Sequence, residues 1–156
     1  MKQLALLALM VFVSACSSGT PDSKPAAAAA PPPTMAASGP RAFFIEPADG
    51  AMVKSPVHLK FGAENIMIMA VPPDPVTTVR QGMGHFHVGV DVDCLPEGTE
   101  IVKGTPTWVH LGKGDSEMDM QLTPGPHKLS LQIADDKHVA LPGAGACKTI
   151  NVTAGP

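Results

Sequence analysis

From Arg41 onward, apolar and polar residues alternate with a period of two. Val57, Leu59 and Phe61 interleave with His58 and Lys60. Phe86, Val88, Val90 and Val92 interleave with His85, His87, Gly89, Asp91 and Asp93, while Met118, Met120 and Leu122 interleave with Glu117, Asp119 and Gln121. Leu129, Leu131 and Ile133 do the same with Lys128, Ser130 and Gln132. Successive side chains of a strand point to opposite faces, so each run reads as a strand with one face on a core. Gly/Pro clusters separate the runs: Pro47-Ala48-Asp49-Gly50, Pro72-Pro73-Asp74-Pro75, Thr123-Pro124-Gly125-Pro126 and Pro142-Gly143-Ala144-Gly145. Trp108 to Leu111 and Glu117 to Leu122, joined by Gly112-Lys113-Gly114-Asp115-Ser116, read as a hairpin. No run shows the 3.6-residue period of a helix. The expected fold is all-β, an Ig-like or fibronectin-like antiparallel β-sandwich of about seven short strands over residues 41–154.

The first forty residues follow another pattern. Lys2 precedes an uncharged apolar run over residues 4–13, too short to span a bilayer of about 30 Å as a helix. Val13-Ser14-Ala15-Cys16 resembles the lipobox of bacterial lipoproteins, in which the cysteine is acylated and becomes the mature N-terminus. Residues 1–15 are then a signal peptide, and Cys16 attaches the chain to a lipid bilayer. Ser17 after that cysteine resembles lipoproteins sent to the outer membrane, which places the domain on its periplasmic side. Residues 16–40 are rich in proline and alanine and lack apolar periodicity, as a tether does. At about 3.1 Å per residue, such a segment reaches roughly 70 Å.

Charge narrows the partners. The formal net charge is −3, and no Lys/Arg cluster occurs, which argues against nucleic acid. An unidentified envelope protein remains a candidate partner. With Cys16 assigned to the anchor, Cys94 and Cys147 form an even pair in an oxidising compartment. They read as a disulfide, against two free thiols of which one is a metal ligand.

Candidate chemistry lies on the polar side of the strand running from Met83 to Asp93. Met83, His85, His87, Asp91 and Asp93 share one parity there. Residues i and i+2 on a strand face lie roughly 6–7 Å apart, so the two imidazoles can meet at one ion. His-x-His beside a methionine suits copper, and without the methionine it suits zinc. The same pattern also describes a solvated face without a ligand. His110, on a strand with Trp108 on its own side, and His138, in the loop after the strand ending at Ile133, are candidate third ligands. His58 reads as surface and His127 as a strand-edge residue. Met67, Met69, Met118 and Met120 read as core filling, with a copper-binding methionine face as the other reading. No Ser/His/Asp set, phosphate loop or His-Glu-x-x-His sequence is present, so no enzyme is expected.

From Phe43 onward the motifs form an ordered series. They are Pro47-x-Asp49-Gly50-x-x-Val53-x-x-Pro56, Gly84-His85-x-His87-x-x-x-Asp91, His110-x-Gly112-x-Gly114-x-x-Glu117 and Pro124-Gly125-x-His127-x-Leu129-x-Leu131, with His138 after them. This series resembles a domain-of-unknown-function family of His-rich domains in bacterial exported proteins. Phe86 and Trp108 stand where members carry further histidines. The resemblance implies an Ig-like sandwich and an envelope location, and it implies no activity.

Overall fold

The computed structural model describes residues 39–156, which fall within one compact unit, Met35–Pro156. Cys16, the signal peptide and nearly all of the expected tether lie outside the described residues. Among the described residues nine strands follow in chain order: β1 (Arg41–Glu46), β2 (Ala51–Val53), β3 (Val57–Glu64), β4 (Met67–Ile68), β5 (Met83–Val90), β6 (Trp108–Leu111), β7 (Glu117–Met120), β8 (Gly125–Ala134) and β9 (Cys147–Ala154). Among the described residues there is no helix, and so none long and apolar enough to cross a membrane.

One sheet has the order β1-β3-β7, and the other runs β2-β9-β8-β5-β4 with β6 also pairing β5. The main core draws on both. Val57, Leu59 and Phe61 of β3 meet Phe86 and Val88 of β5, Leu129, Leu131 and Ile133 of β8, and Ile150 and Val152 of β9. The rings of Phe61 and Phe86, from different sheets, lie 5.6 Å apart at their centroids. Burying a large aliphatic or aromatic side chain contributes roughly 1.5–3 kcal/mol, so this shared layer is what holds the two sheets together.

Three expectations need correcting. The strands number nine rather than about seven, because two short pieces, β2 and β4, add to the edges of the larger sheet. Both additions are parallel, β2 on β9 and β4 on β5, so the sheet is mixed rather than antiparallel. The segment from Trp108 to Leu122 is not a hairpin: β6 pairs with β5 and β7 with β3. Residues 112–116 therefore cross from one sheet to the other. Polar pairing favours that choice, since Lys60 of β3 faces Glu117 of β7 and His58 Nδ1 lies 3.0 Å from Asp119 Oδ1 across the pair.

Candidate metal centre

Four imidazoles meet at one point. His85 and His87 lie on one face of β5, and His110 of β6 pairs directly with His87 in the antiparallel ladder. His138 arrives from the loop after β8, whose Ala134 pairs with His85. One nitrogen from each of the four rings can be chosen so that all lie within 4.8 Å of one another. The Nε2 atoms of His85 and His87 are 2.8 Å apart, and those of His110 and His138 are 3.1 Å apart. Ring centroids of the six pairs lie between 4.7 and 5.7 Å.

The loop that delivers His138 is tightly specified. Asp135 Oδ1 accepts the backbone N–H groups of Lys137 and Val139, an Asx-type turn. Such turns tolerate the left-handed backbone, and His138 takes it with φ of 63°. Its N–H donates to Asp135 O at 2.9 Å, and its own carbonyl accepts Ile101 N–H at 2.7 Å. Next to His110, Gly112 leaves no room to spare. A Cβ there would fall inside the His110 ring, so only glycine lets that imidazole fold back over the turn.

The polar face of β5 is not solvated, contrary to the simpler reading of its alternation. His85 and His87 are both 0% exposed and His138 is 6% exposed. Residues 91–107 run back over this face as a cover with its own small core. Ile101 and Trp108 pack with Ala134 and Ala140 there, joined by Val92 and Leu95. The outer face of β8 holds the cover down through polar groups. Gln132 accepts Leu95 N–H at 2.9 Å and donates to Leu95 O at 2.8 Å, and Ser130 Oγ donates to Val92 O at 2.6 Å. Cys94 and Cys147 are joined in a disulfide with Cα atoms 6.1 Å apart, which ties the start of the cover to β9. Gly89, opposite Trp108, is needed for this arrangement, because a Cβ there would run into both Val92 and the indole.

β5 also ends earlier than the alternation predicts. Asp91 has a φ of 56°, which turns the chain off the sheet. Its carboxylate accepts Lys128 N–H at 3.0 Å and pairs with His127 Nδ1 at 2.9 Å, while Asp93 pairs with Lys128 Nζ. Neither carboxylate belongs to the four-histidine set. Met83 shares the parity of His85 and His87 and stands opposite Met67 in the parallel pair. His58 is exposed beside Asp119, as expected of a surface histidine.

Burial fixes the electrostatics of the cluster. Desolvation, followed by repulsion from neighbouring ring charges, lowers His85 to a pKa of about 3 and His87 to about 2. His110 and His138 are lowered as well, again chiefly by burial. At neutral pH all four rings are therefore neutral, the form that ligates metals. The Nδ1 atoms of His85 and His87 are buried with no hydrogen-bond partner. Four neutral imidazoles carry four N–H donors, yet only two ring-to-ring contacts close within the set. As a purely structural polar core the cluster is under-satisfied, which calls for another account.

Sequence reasoning missed one neighbour of the site. Asp136 is 1% exposed and accepts from Arg80 through its backbone N–H, Nε and Nη2 at 2.9, 2.9 and 2.6 Å. These hydrogen bonds hold the Asp136 carboxyl below its ordinary range. Arg80 Nη2 also donates to Ala70 O, so the pair pins residues 70–80 against the His138 loop. Nothing in the local sequence around Arg80 signals this contact, which joins positions 56 residues apart. A cleft lined by Val71, Pro72, Asp74, Lys103 and Lys113 opens on His110 and His138.

Residues 59–154 match the family described as Domain of unknown function (DUF4399). The chain belongs to this family. No curated protein and no solved structure matches it. The matched span contains all four histidines and both disulfide cysteines of this DUF4399 domain.

Proposed function

We propose that this DUF4399 domain is a non-catalytic metal-binding module that takes copper or zinc at His85, His87, His110 and His138. The convergence of four neutral imidazole nitrogens within 4.8 Å carries the reading. An ion about 2.0–2.1 Å from each of several imidazole nitrogens keeps those nitrogens about 3 Å apart, and the two closest pairs stand at 2.8 and 3.1 Å. A cation would take the Nε2 lone pairs that otherwise face one another, leaving the ring protons of His85 and His87 on their buried Nδ1 atoms. An all-imidazole set suits zinc, copper and nickel, and copper(II) heads the divalent affinity order. Met83 is not needed to complete the set.

The immunoglobulin-like reading of the sandwich is supported by two sheets facing across one core. The sequence Val13-Ser14-Ala15-Cys16 supports an envelope lipoprotein, held through acylated Cys16 on the periplasmic side of the outer membrane. Exchange of Cys16→Ala is expected to abolish partitioning into a detergent phase, and an unchanged partition would remove the anchor from this reading.

Copper(II) and zinc titrations of the wild-type protein and of a His85→Ala/His87→Ala variant test the centre. One equivalent bound by the wild type, and affinity reduced at least a hundredfold in the variant, is the expected result. Equal binding by both proteins would refute the histidine site.

A further inference from the structure

The edge strand beside the cluster carries an anomaly that the histidine site does not use. Residues 66–69 read Ile-Met-Ile-Met. Ile66 and Ile68 pack on the main core. Met67 and Met69 therefore stand on the opposite face, where they are 57% and 39% exposed. A strand that turns one face to solvent ordinarily places polar residues there. These methionines were expected to fill the core, and the structure puts them outside it.

Strand register brings a third thioether to the same place. β4 is parallel to β5 with Met67 directly opposite Met83 and Ile68 opposite Gly84. The ladder continues one step, with Met69 N–H donating to Gly84 O at 2.9 Å, which sets Met69 alongside His85. Directly opposed residues point to the same face, so Met67, Met69 and Met83 share the face of His85 and His87. Neighbouring strands lie about 4.8 Å apart, and i, i+2 residues roughly 6–7 Å, distances that flexible methionine side chains bridge readily.

We infer that Met67, Met69 and Met83 form a separate soft-metal site that binds copper(I) through three thioether sulfurs. Thioethers are uncharged soft donors that select copper(I) over zinc and other borderline or hard cations. The exposure of Met67 and Met69 lets an ion reach the site from solvent without opening the covered histidine centre. The inference does not depend on the histidines binding anything, although both sites lie on one strand face.

The test is a copper(I) titration of the full-length protein against a chromogenic copper(I) chelator under reductant-free, anaerobic conditions that spare the disulfide. A Met67→Leu/Met69→Leu/Met83→Leu variant keeps apolar bulk and removes only the sulfurs. Copper(I) affinity is expected to fall at least tenfold in it, with zinc binding unchanged. X-ray absorption of the copper(I)-loaded wild type should show sulfur scatterers, and the His85→Ala/His87→Ala variant should retain them. Affinity within twofold of wild type in the leucine variant, or a copper(I) environment of nitrogen alone, would overturn the proposal. Failure of zinc and copper(II) to bind would instead refute the histidine centre and leave the methionine site standing.

Discussion

Acidification of the metal-free protein is the perturbation that reads the buried cluster most directly. His85 and His87 have folded pKa values of about 3 and about 2, whereas an unfolded histidine titrates near 6.5. Below pH 6.5 the unfolded chain binds protons that the native state excludes, so stability rises with pH and falls on acidification. Each pKa unit is worth about 1.4 kcal/mol and the unfolded ring is already half protonated at pH 6.5, so lowering the pH to 4.5 costs roughly 2.3 kcal/mol per histidine. For the pair the loss is roughly 5 kcal/mol, set against about 5–15 kcal/mol of total stability for a typical domain. His110 and His138, also lowered, add to the same slope. The carboxyls of Glu64, Asp91 and Asp136 have lowered pKa values, and their contribution is lost as pH falls below about 5, mostly under this window. Denaturant unfolding of chelator-treated protein at pH 6.5, 5.5 and 4.5 measures the slope. A His85→Gln/His87→Gln variant should show a clearly shallower one. Stability constant within about 1 kcal/mol across this range, well under the roughly 5 kcal/mol loss derived from linkage, would refute the buried neutral cluster.

Gly112→Ala should displace His110, because the new Cβ would occupy the place of its ring, and lower zinc affinity at least tenfold in a competition titration. Gln132→Leu removes both hydrogen bonds to the Leu95 backbone and should cost about 2–4 kcal/mol, with faster hydrogen exchange confined first to residues 91–107. His127 is raised above the ordinary histidine range by Thr123 O and Asp91, so its contribution to stability is present below pH 6.5 and lost as pH rises through the raised value. NMR titration should find its midpoint above 6.5, falling toward that value in an Asp91→Asn variant.

The two-residue alternation along the body determined by itself which side chains of β3, β5, β7 and β8 face the core, because strand geometry is local. It also put His85, His87 and Met83 on one face, and the pairing of Cys94 with Cys147 was legible from cysteine parity. His110 and His138 were candidates from their places on a neighbouring strand and in the loop after the strand ending at Ile133. Only the cross-strand register of His87 with His110, and the turn held by Asp135, bring them to the other two. Whether the polar face of β5 meets water was decided by tertiary structure. Residues 91–107 have no periodicity that announces a cover, and what holds them down is Gln132, Ser130 and a disulfide to β9. The same limit explains the false hairpin at residues 108–122. Alternation fixes which face of a strand is apolar, but the choice of neighbouring strand depends on contacts between residues far apart in the chain, as in Leu59 with Met118 and Ala51 with Val152. The exposure of Met67 and Met69 follows from that choice too, since β4 adds at the sheet edge with its isoleucines turned inward.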